Sequence, residues 1–369
     1  MLTINKRILI FSLAYFPVEG GAEIATKEIA DRLPDIKFDM VTKKFEQSHR
    51  SFERVGNVNV YRLNSAKLFF PFKAYWFARN LHKQKPYDAI WSIMAAHAGL
   101  AAALFKIKFP DIKFILTLQE GDPFGYLKRR AIFVWPLFKK IFTQASIVQV
   151  ISNYLEGYAR QMGYRGKIEV IPNGVDVKKF ENVRSRAFDK NKVVLITTSR
   201  LVKKNGVGDI IEALKFLPES ISLQVLGIGP LESELKLQTT NYKLQTRVEF
   251  LGHIPYGEIP KHLHEADIFI RPSLSEGFGN SFIEAMVAGL PVIATPVGGI
   301  VDFLESGSTG LFCEVHNPQS IAKQVERLIA DEPLRERIIL NASSMVCERY
   351  QWDLIAREMK TRVFDILTK

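Results

Sequence analysis

The chain has 369 residues, a formal net charge of +11, 47% hydrophobic and 24% charged residues. This length suits two domains rather than one, and the composition is that of a globular protein, not a disordered or fibrous one. Only two cysteines occur, Cys313 and Cys347, neither in a Cys-x-x-Cys pair nor beside a histidine at ligand spacing, so disulfide scaffolds, redox motifs and zinc sites have no support and a reducing cytoplasm fits.

Along the chain, short apolar runs alternate with helical periodicity. The first run, Ile8–Leu13, is short and no small-residue cleavage site follows it, so it reads as a buried strand, Arg7–Leu13, rather than a signal peptide. A helix is expected over Ala22–Leu33, then a strand at Ala89–Ile93 and a helix at Gly99–Lys106. Further strands are expected at Lys113–Leu118, Ser146–Ile151 and Lys167–Ile171. In the second half, strands are expected at Lys192–Thr198, Ser222–Gly227, Arg247–Leu251, Ile268–Arg271 and Pro291–Thr295, with helices at Asp209–Phe216, Leu231–Leu237, Tyr256–Ala266 and Ser281–Ala288 between them. No run reaches the ~20 apolar residues of a spanning helix. The alternation predicts an α/β protein with two Rossmann-like, doubly wound domains facing across a cleft, each binding ligand at the carboxyl ends of its strands. The boundary is placed in the polar stretch 177–191, giving domains 1–180 and 181–349, with an amphipathic tail from Tyr350 crossing back to the first.

Charge is one-sided. Residues 1–180 hold 28 Lys+Arg against 15 Asp+Glu, whereas residues 181–369 hold 22 against 24. A basic first half points to an anionic partner. There, Lys67–Arg79 and Tyr126–Lys140 interleave cations with aromatics. Either segment is a helix with a buried aromatic face and solvated charges, or an interfacial surface for anionic lipid.

The segment from Arg271 to Glu284 carries the most chemistry. A strand ends, a loop with Gly277 and Gly279 follows, and a helix begins. Ser281 as N-cap with Glu284 three residues on is a capping box, but that leaves Glu276 and the two glycines unexplained. The backbone N–H groups of Gly277, Phe278, Gly279 and Asn280 at a helix N-terminus suit a diphosphate. Glu276 and Glu284 could then hold sugar and ribose hydroxyls.

This segment resembles the Glu-x7-Glu motif of the retaining glycosyltransferases of family 4, which have the two-domain GT-B fold. The resemblance extends to Pro17-Val-Glu-Gly20-Gly21, Ile171-Pro-Asn-Gly-Val-Asp176, Ser199-Arg200-Leu201 through Gly206, Gly227-Ile-Gly229-Pro230 and Leu251-Gly252-His253, most of the chain. It implies that Glu276 contacts donor-sugar hydroxyls, that Glu284 binds the ribose, and that Arg200 with Lys203 or Lys204 neutralises the diphosphate leaving group. His253 and Ile254 would meet the base through backbone groups, and Gly20 and Gly21 would approach the donor phosphate or the acceptor. Two positions depart from the pattern. Many members have lysine directly before the glycine where this chain has Asn205, and a Thr-x-His where it has Thr117-Leu118-Gln119. Gln119, Glu120 and Asp122 are therefore candidates for sugar or acceptor contacts, with His97, at a strand–helix junction, as a weaker one.

The expected activity is transfer of a sugar from a UDP- or GDP-sugar to a glycan or lipid-linked acceptor of cell-envelope polysaccharide synthesis, with retention. No Asp-x-Asp occurs, so no metal or other cofactor is expected. The expected location is cytoplasmic, with or without peripheral contact at an anionic membrane. A sugar-nucleotide epimerase of the same fold is the alternative enzyme. A nucleic-acid-binding role would use the basic half, but no helix-turn-helix, zinc-finger or ribonucleoprotein motif accompanies it, so no nucleic acid partner is expected.

Overall fold

A parallel sheet covered on both faces needs strands that are apolar throughout, and the first such run builds the first sheet. The computed structural model describes residues 6–121, 135–180 and 188–365. Two compact units divide the chain, Met1–Gly174 with Trp352–Lys369, and Val175–Gln351. The division falls a few residues before the position read from polar composition. Lys178 and Lys179 belong to a short helix, Val177–Phe180, anchored by the buried Phe180, and the Val175 N–H donates to the Tyr350 carbonyl at 2.7 Å.

The first unit holds strands β1 (Lys6–Phe11), β2 (Ile36–Lys43), β3 (Phe52–Val55), β4 (Val58–Leu63), β5 (Ala89–Ile93), β6 (Lys113–Leu118), β7 (Ile147–Val150) and β8 (Ile168–Val170). Their order is β3-β4-β2-β1-β5-β6-β7-β8, and every pairing is parallel except β3 with β4. Ile8, Ile10, Phe38, Met40 and Trp91 form the core on one face. The chain's tail completes it. Helix Trp352–Glu358 and the π-turn Met359–Phe364 bring Trp352, Ile355, Met359, Val363 and Phe364 into that core, with the Phe364 ring 5.2 Å from Trp91.

The second unit has strands β9 (Val193–Thr198), β10 (Ile221–Leu226), β11 (Val248–Gly252), β12 (Ile268–Arg271), β13 (Val292–Ala294) and β14 (Leu311–Phe312), all parallel in the order β11-β10-β9-β12-β13-β14. In both units the chain leaves one central strand in one direction and later resumes on its other side. These switch points lie between β1 and β5 and between β9 and β12. Loops that follow such neighbours diverge and leave a crevice at the strands' carboxyl ends. The loop after β9 carries Arg200, and the loop after β12 carries Glu276.

Three stretches depart from the expectations. β2, β3, β4 and β14, together with helices Asn153–Gln161, Pro318–Ala330 and Glu332–Arg349, add to the predicted set. The Lys67–Arg79 segment is largely helix, Phe70–Gln84, but buries Phe70, Pro71, Ala74 and Ala78 rather than a broad aromatic face. The helix expected over Tyr256–Ala266 begins only at Ile259, because prolines at 255 and 260 confine it to the residues after the first turn, and this leaves Tyr256 in a loop. Ser281 is not an N-cap; it lies inside helix Asn280–Val287, whose cap is Gly279.

Candidate functional site

In the second unit the two loops at the switch point are fastened to each other. Asn205 is buried, donates from Nδ2 to the Arg200 carbonyl at 2.6 Å, and accepts at Oδ1 from Arg271 at 3.4 Å. The Leu274 N–H donates to the Lys204 carbonyl at 2.6 Å. Gly206, at φ +69°, lets the Arg200 loop lie against the Pro272 carbonyl, which a side chain there would strike at 2.1 Å. Asn205, one of the two departures from the family pattern, is thus the staple between the loops, and no lysine at that position reaches outward. Arg200 and Lys203 are exposed and Lys204 is half-buried. Among the described residues the Arg200 guanidinium has no carboxylate or hydrogen-bond partner, so it is available to an anion.

Glu276 is buried, and Arg271 holds it by an ion pair through Nη2 and Oε2. Arg271 ends an otherwise apolar strand; a buried charge in such a place requires a partner. Its other amino group donates to the Ser281 hydroxyl at 2.7 Å. Ser281 therefore serves Arg271 and not the helix terminus. The Gly277 N–H donates to Oε1 of Glu276 at 3.0 Å, and the Gly299 N–H donates to the Glu276 carbonyl at 3.1 Å. Of the four amides expected to face a diphosphate, that of Gly277 is thus spent on Glu276 itself. The Phe278 side chain is core, packed on Phe303 at 5.1 Å and Tyr350 at 5.6 Å, so this residue can serve a ligand only through its backbone. Gly279 takes φ +92°, and a Cβ there would meet the Phe282 ring at 2.5 Å. Only glycine gives this loop its turn into the helix.

Glu284 lies one turn into that helix and is buried. Burial pushes its carboxyl up to about 7, against the opposing effects of a hydrogen bond from the Tyr256 hydroxyl and the charges of Arg271 and Lys179. Lys179 also sits over the Tyr256 ring at 4.3 Å, and Phe180 packs on the same ring at 5.9 Å. Arg271, Tyr256 and Lys179 are site residues that the sequence reading did not single out. A charge closing a buried strand was the available signal for Arg271. Tyr256 and Lys179 had none, since no local pattern links a loop tyrosine to a carboxylate on a later helix. Ile254 lies in the same loop after β11 as Tyr256.

The expected residues of the first unit collect at its own switch point. Gly20 caps helix Gly21–Asp31 after β1, and the Gly20 carbonyl accepts from the Ile24 N–H at 3.0 Å. His97 opens helix His97–Lys108 after β5, where burial first and Lys67 second lower its pKa. Both Glu120 oxygens accept backbone N–H groups, from Ala95 at 2.6 Å and from Gln119 at 3.0 Å. This carboxylate therefore braces the turn that carries His97. That turn includes Met94 at φ +70°, a left-handed conformation rare for methionine. Gln119 accepts from Asn173 at 3.2 Å. Asp122 and most of the 126–140 segment lie outside the described residues. Among the described residues no cluster of three or more metal-ligating side chains occurs, and no helix is long and apolar enough to cross a membrane.

In sequence and in fold the chain is similar to known glycosyltransferases. The family model for glycosyl transferases group 1 matches residues 178–345, and that for glycosyltransferase family 4 matches residues 19–179. An uncharacterised glycosyltransferase of Methanocaldococcus jannaschii is 31% identical, over 95% of this chain and 96% of its own. The capsular polysaccharide biosynthesis glycosyltransferase CapM of Staphylococcus aureus is 29% identical, over 76% and 77%. Among solved structures, sucrose-phosphate synthase of Thermosynechococcus elongatus superposes with a TM-score of 0.85 at 22% identity, over 98% of this chain and 99% of that one. Anabaena HepE, solved with UDP and glucose, gives 0.80 at 23% identity, over 98% and 100%. The chain has the GT-B fold and belongs to the group 1 glycosyltransferases, its first half matching family 4.

Proposed function

We propose that this group 1 glycosyltransferase takes a sugar from a UDP- or GDP-sugar and passes it, with retention, to a glycan or lipid-linked acceptor of polysaccharide synthesis. The observation that carries this reading is the stapled pair of loops at the β9/β12 switch point. It sets an exposed Arg200, without a side-chain partner among the described residues, on a loop fastened to the one that fixes Glu276.

Cleavage of a glycosyl–phosphate bond develops negative charge on the leaving diphosphate, and cations held in advance lower that barrier by several kcal/mol. Arg200 and Lys203 supply the charge, with Lys204 beside them. The amides at the head of helix Asn280–Val287 supply oriented dipoles. Glu276 accepts donor-sugar hydroxyls, and its carboxylate is fixed by Arg271 and the Gly277 N–H before substrate arrives. Preorganisation of this kind removes the reorganisation cost from the reacting step. Glu284 accepts the ribose hydroxyls. No step calls for a metal, because side-chain cations carry the charge. CapM, named for capsular polysaccharide, and HepE, solved with UDP and glucose, support the acceptor class and the donor class.

Thermal unfolding with UDP, GDP, CDP and NAD, on the wild type and on Arg200→Ala, tests the reading. A nucleoside diphosphate at a hundred times its Kd should stabilise by about 2.7 kcal/mol. Stabilisation by UDP or GDP that the variant loses is the expected result. A response to NAD alone, or equal stabilisation of the variant, overturns it. NMR of the product's anomeric carbon decides retention.

A further inference from the structure

Helix Phe70–Gln84 buries only one narrow stripe, Phe70, Pro71, Ala74 and Ala78, at the i, i+4, i+8 spacing that one helical face provides. The opposite stripe should be polar on a helix that faces water. Instead its first two turns expose Phe72 and Trp76 beside Lys73, continuing Leu68 and Phe69 of the turn Lys67–Phe69 that leads into it, and only the later turns expose the polar Asn80, Lys83 and Gln84. Leu68 is 73% exposed, Phe69 59%, Phe72 49% and Trp76 57%. The patch extends across the sheet edge, where Phe77 packs on Tyr61 at 5.4 Å and Tyr61 on Phe52 at 4.9 Å, with Phe52 itself 54% exposed. At the carboxyl ends of β2 and β4, Lys43 lies over the exposed Phe45 at 4.3 Å, and the Lys73 amine donates to the Asn64 carbonyl at 3.0 Å.

Scattered single apolar residues on a surface need no explanation, but a contiguous set marks a binding face. Cations rim this one. Lys67 and Lys73 are exposed among the aromatics, Arg79 stacks on Trp76 at 5.1 Å, and Lys43 and Lys44 stand beside Phe45. Glu46 is the acidic neighbour at that end, and it faces His49. Apolar side chains on one helix face with lysines around them complement a lipid surface that is apolar below and anionic at its headgroups.

We propose that this face docks the enzyme on an anionic membrane, with Leu68, Phe69, Phe72 and Trp76 at headgroup depth and Lys43, Lys67 and Lys73 against lipid phosphates. The inference rests on surface chemistry of the first unit and is independent of the donor reading. Each lysine near such a surface strengthens binding about fivefold.

Flotation of the full chain with phosphatidylglycerol/phosphatidylcholine vesicles tests it. The wild type should float with them at low salt and not with pure phosphatidylcholine vesicles. F72E/W76E should lower partitioning by at least about tenfold, and K67E/K73E should lower it on anionic vesicles. Both variants change exposed side chains, so thermal unfolding and UDP or GDP stabilisation should match the wild type, which separates this test from the donor reading. Absence of wild-type flotation, or flotation unchanged in F72E/W76E, overturns the proposal. So does a concentration-dependent dimer in sedimentation that F72E/W76E abolishes, since that would make the face a contact between two copies.

Discussion

Glu284→Gln should make the protein more stable and a poorer nucleotide binder at once, with both effects growing as pH rises through about 7. The folded carboxyl titrates at about 7 because burial opposes its charge, whereas an unfolded chain titrates it near the ordinary 4.5. Between those values the folded state keeps a proton that the unfolded state releases. Stability contributed by this group is therefore full below about 4.5 and falls as pH rises through about 7. The whole loss is on the order of 3 kcal/mol, at about 1.4 kcal/mol for each pH unit between the two titrations. Glutamine keeps an acceptor for the Tyr256 hydroxyl and has no proton to lose. At pH 5 the variant should lie within about 1 kcal/mol of the wild type, and at pH 8.5 it should be more stable by about 3 kcal/mol. For a unit of this size that is a gap of roughly 6–12 °C opening between the two pH values. Calorimetry that follows the second unit's transition separately is the assay, because a two-unit chain has no single unfolding equilibrium. On the proposed reading ribose hydroxyls would donate to the ionised carboxylate, so wild-type affinity for UDP or GDP should rise relative to the variant as pH climbs from 6 to 8. A stability gap that stays constant from pH 5 to 8.5 would refute the buried-acid account.

Arg271→Ala leaves the Glu276 carboxylate buried without its guanidinium and should cost about 3–5 kcal/mol in urea unfolding; a loss under 1 kcal/mol would mean that the pair does not hold the loop. Asn205→Lys restores the residue common in the family, yet it should destabilise by about 2 kcal/mol and fail to raise kcat, because Asn205 is buried and bonds Arg200 and Arg271. A more active variant would show that the lysine can reach the phosphate from this position. Turnover in excess EDTA should equal turnover with added magnesium or manganese, and metal-dependent recovery would sink the side-chain-cation mechanism.

Both sheets were legible because parallel strands covered on two faces are continuous apolar runs. Ile8–Phe11, Ala89–Ile93 and Ile268–Arg271 stand out from their flanks without any long-range knowledge. β3 and β4 were less visible. They lie at the sheet's edge with alternating exposure, and their signal was the Gly56-Asn57 turn between short runs, with Gly56 at φ +56°. Within the site, Glu276 and Glu284 stood out by the strand–loop–helix segment that carries them, and Arg200 by the resemblance of its loop to the family's. Tyr256 and Lys179 did not, because a contact between Glu284 and a loop 28 residues earlier is set by strand order. Gly279 as cap and Ser281 as partner of Arg271 were similarly hidden. A serine before a helix satisfies the capping pattern, and only the left-handed glycine two residues earlier moves the helix start.

The two family departures change different parts of the proposed chemistry, one in each unit. Where an outward lysine is common, Asn205 turns inward and spends its side chain joining the loops after β9 and β12, so Arg200 is held by backbone while its guanidinium stays unengaged among the described residues. On the proposed reading, charge toward a diphosphate then falls to Arg200 and to lysines one and two positions earlier than the family's. In the first unit Gln119 replaces a titratable ring by an amide that Asn173 already engages. No proton transfer can then be assigned to that position. Under the proposed retaining transfer, the leaving group would be stabilised on the sugar's own face by fixed cations, with Glu276 orienting hydroxyls, rather than by an imidazole at the end of β6. Gln119→His separates the two accounts: it should leave the pH profile of kcat unchanged, and a new limb between pH 6 and 7 would place an imidazole-dependent step back in the reaction.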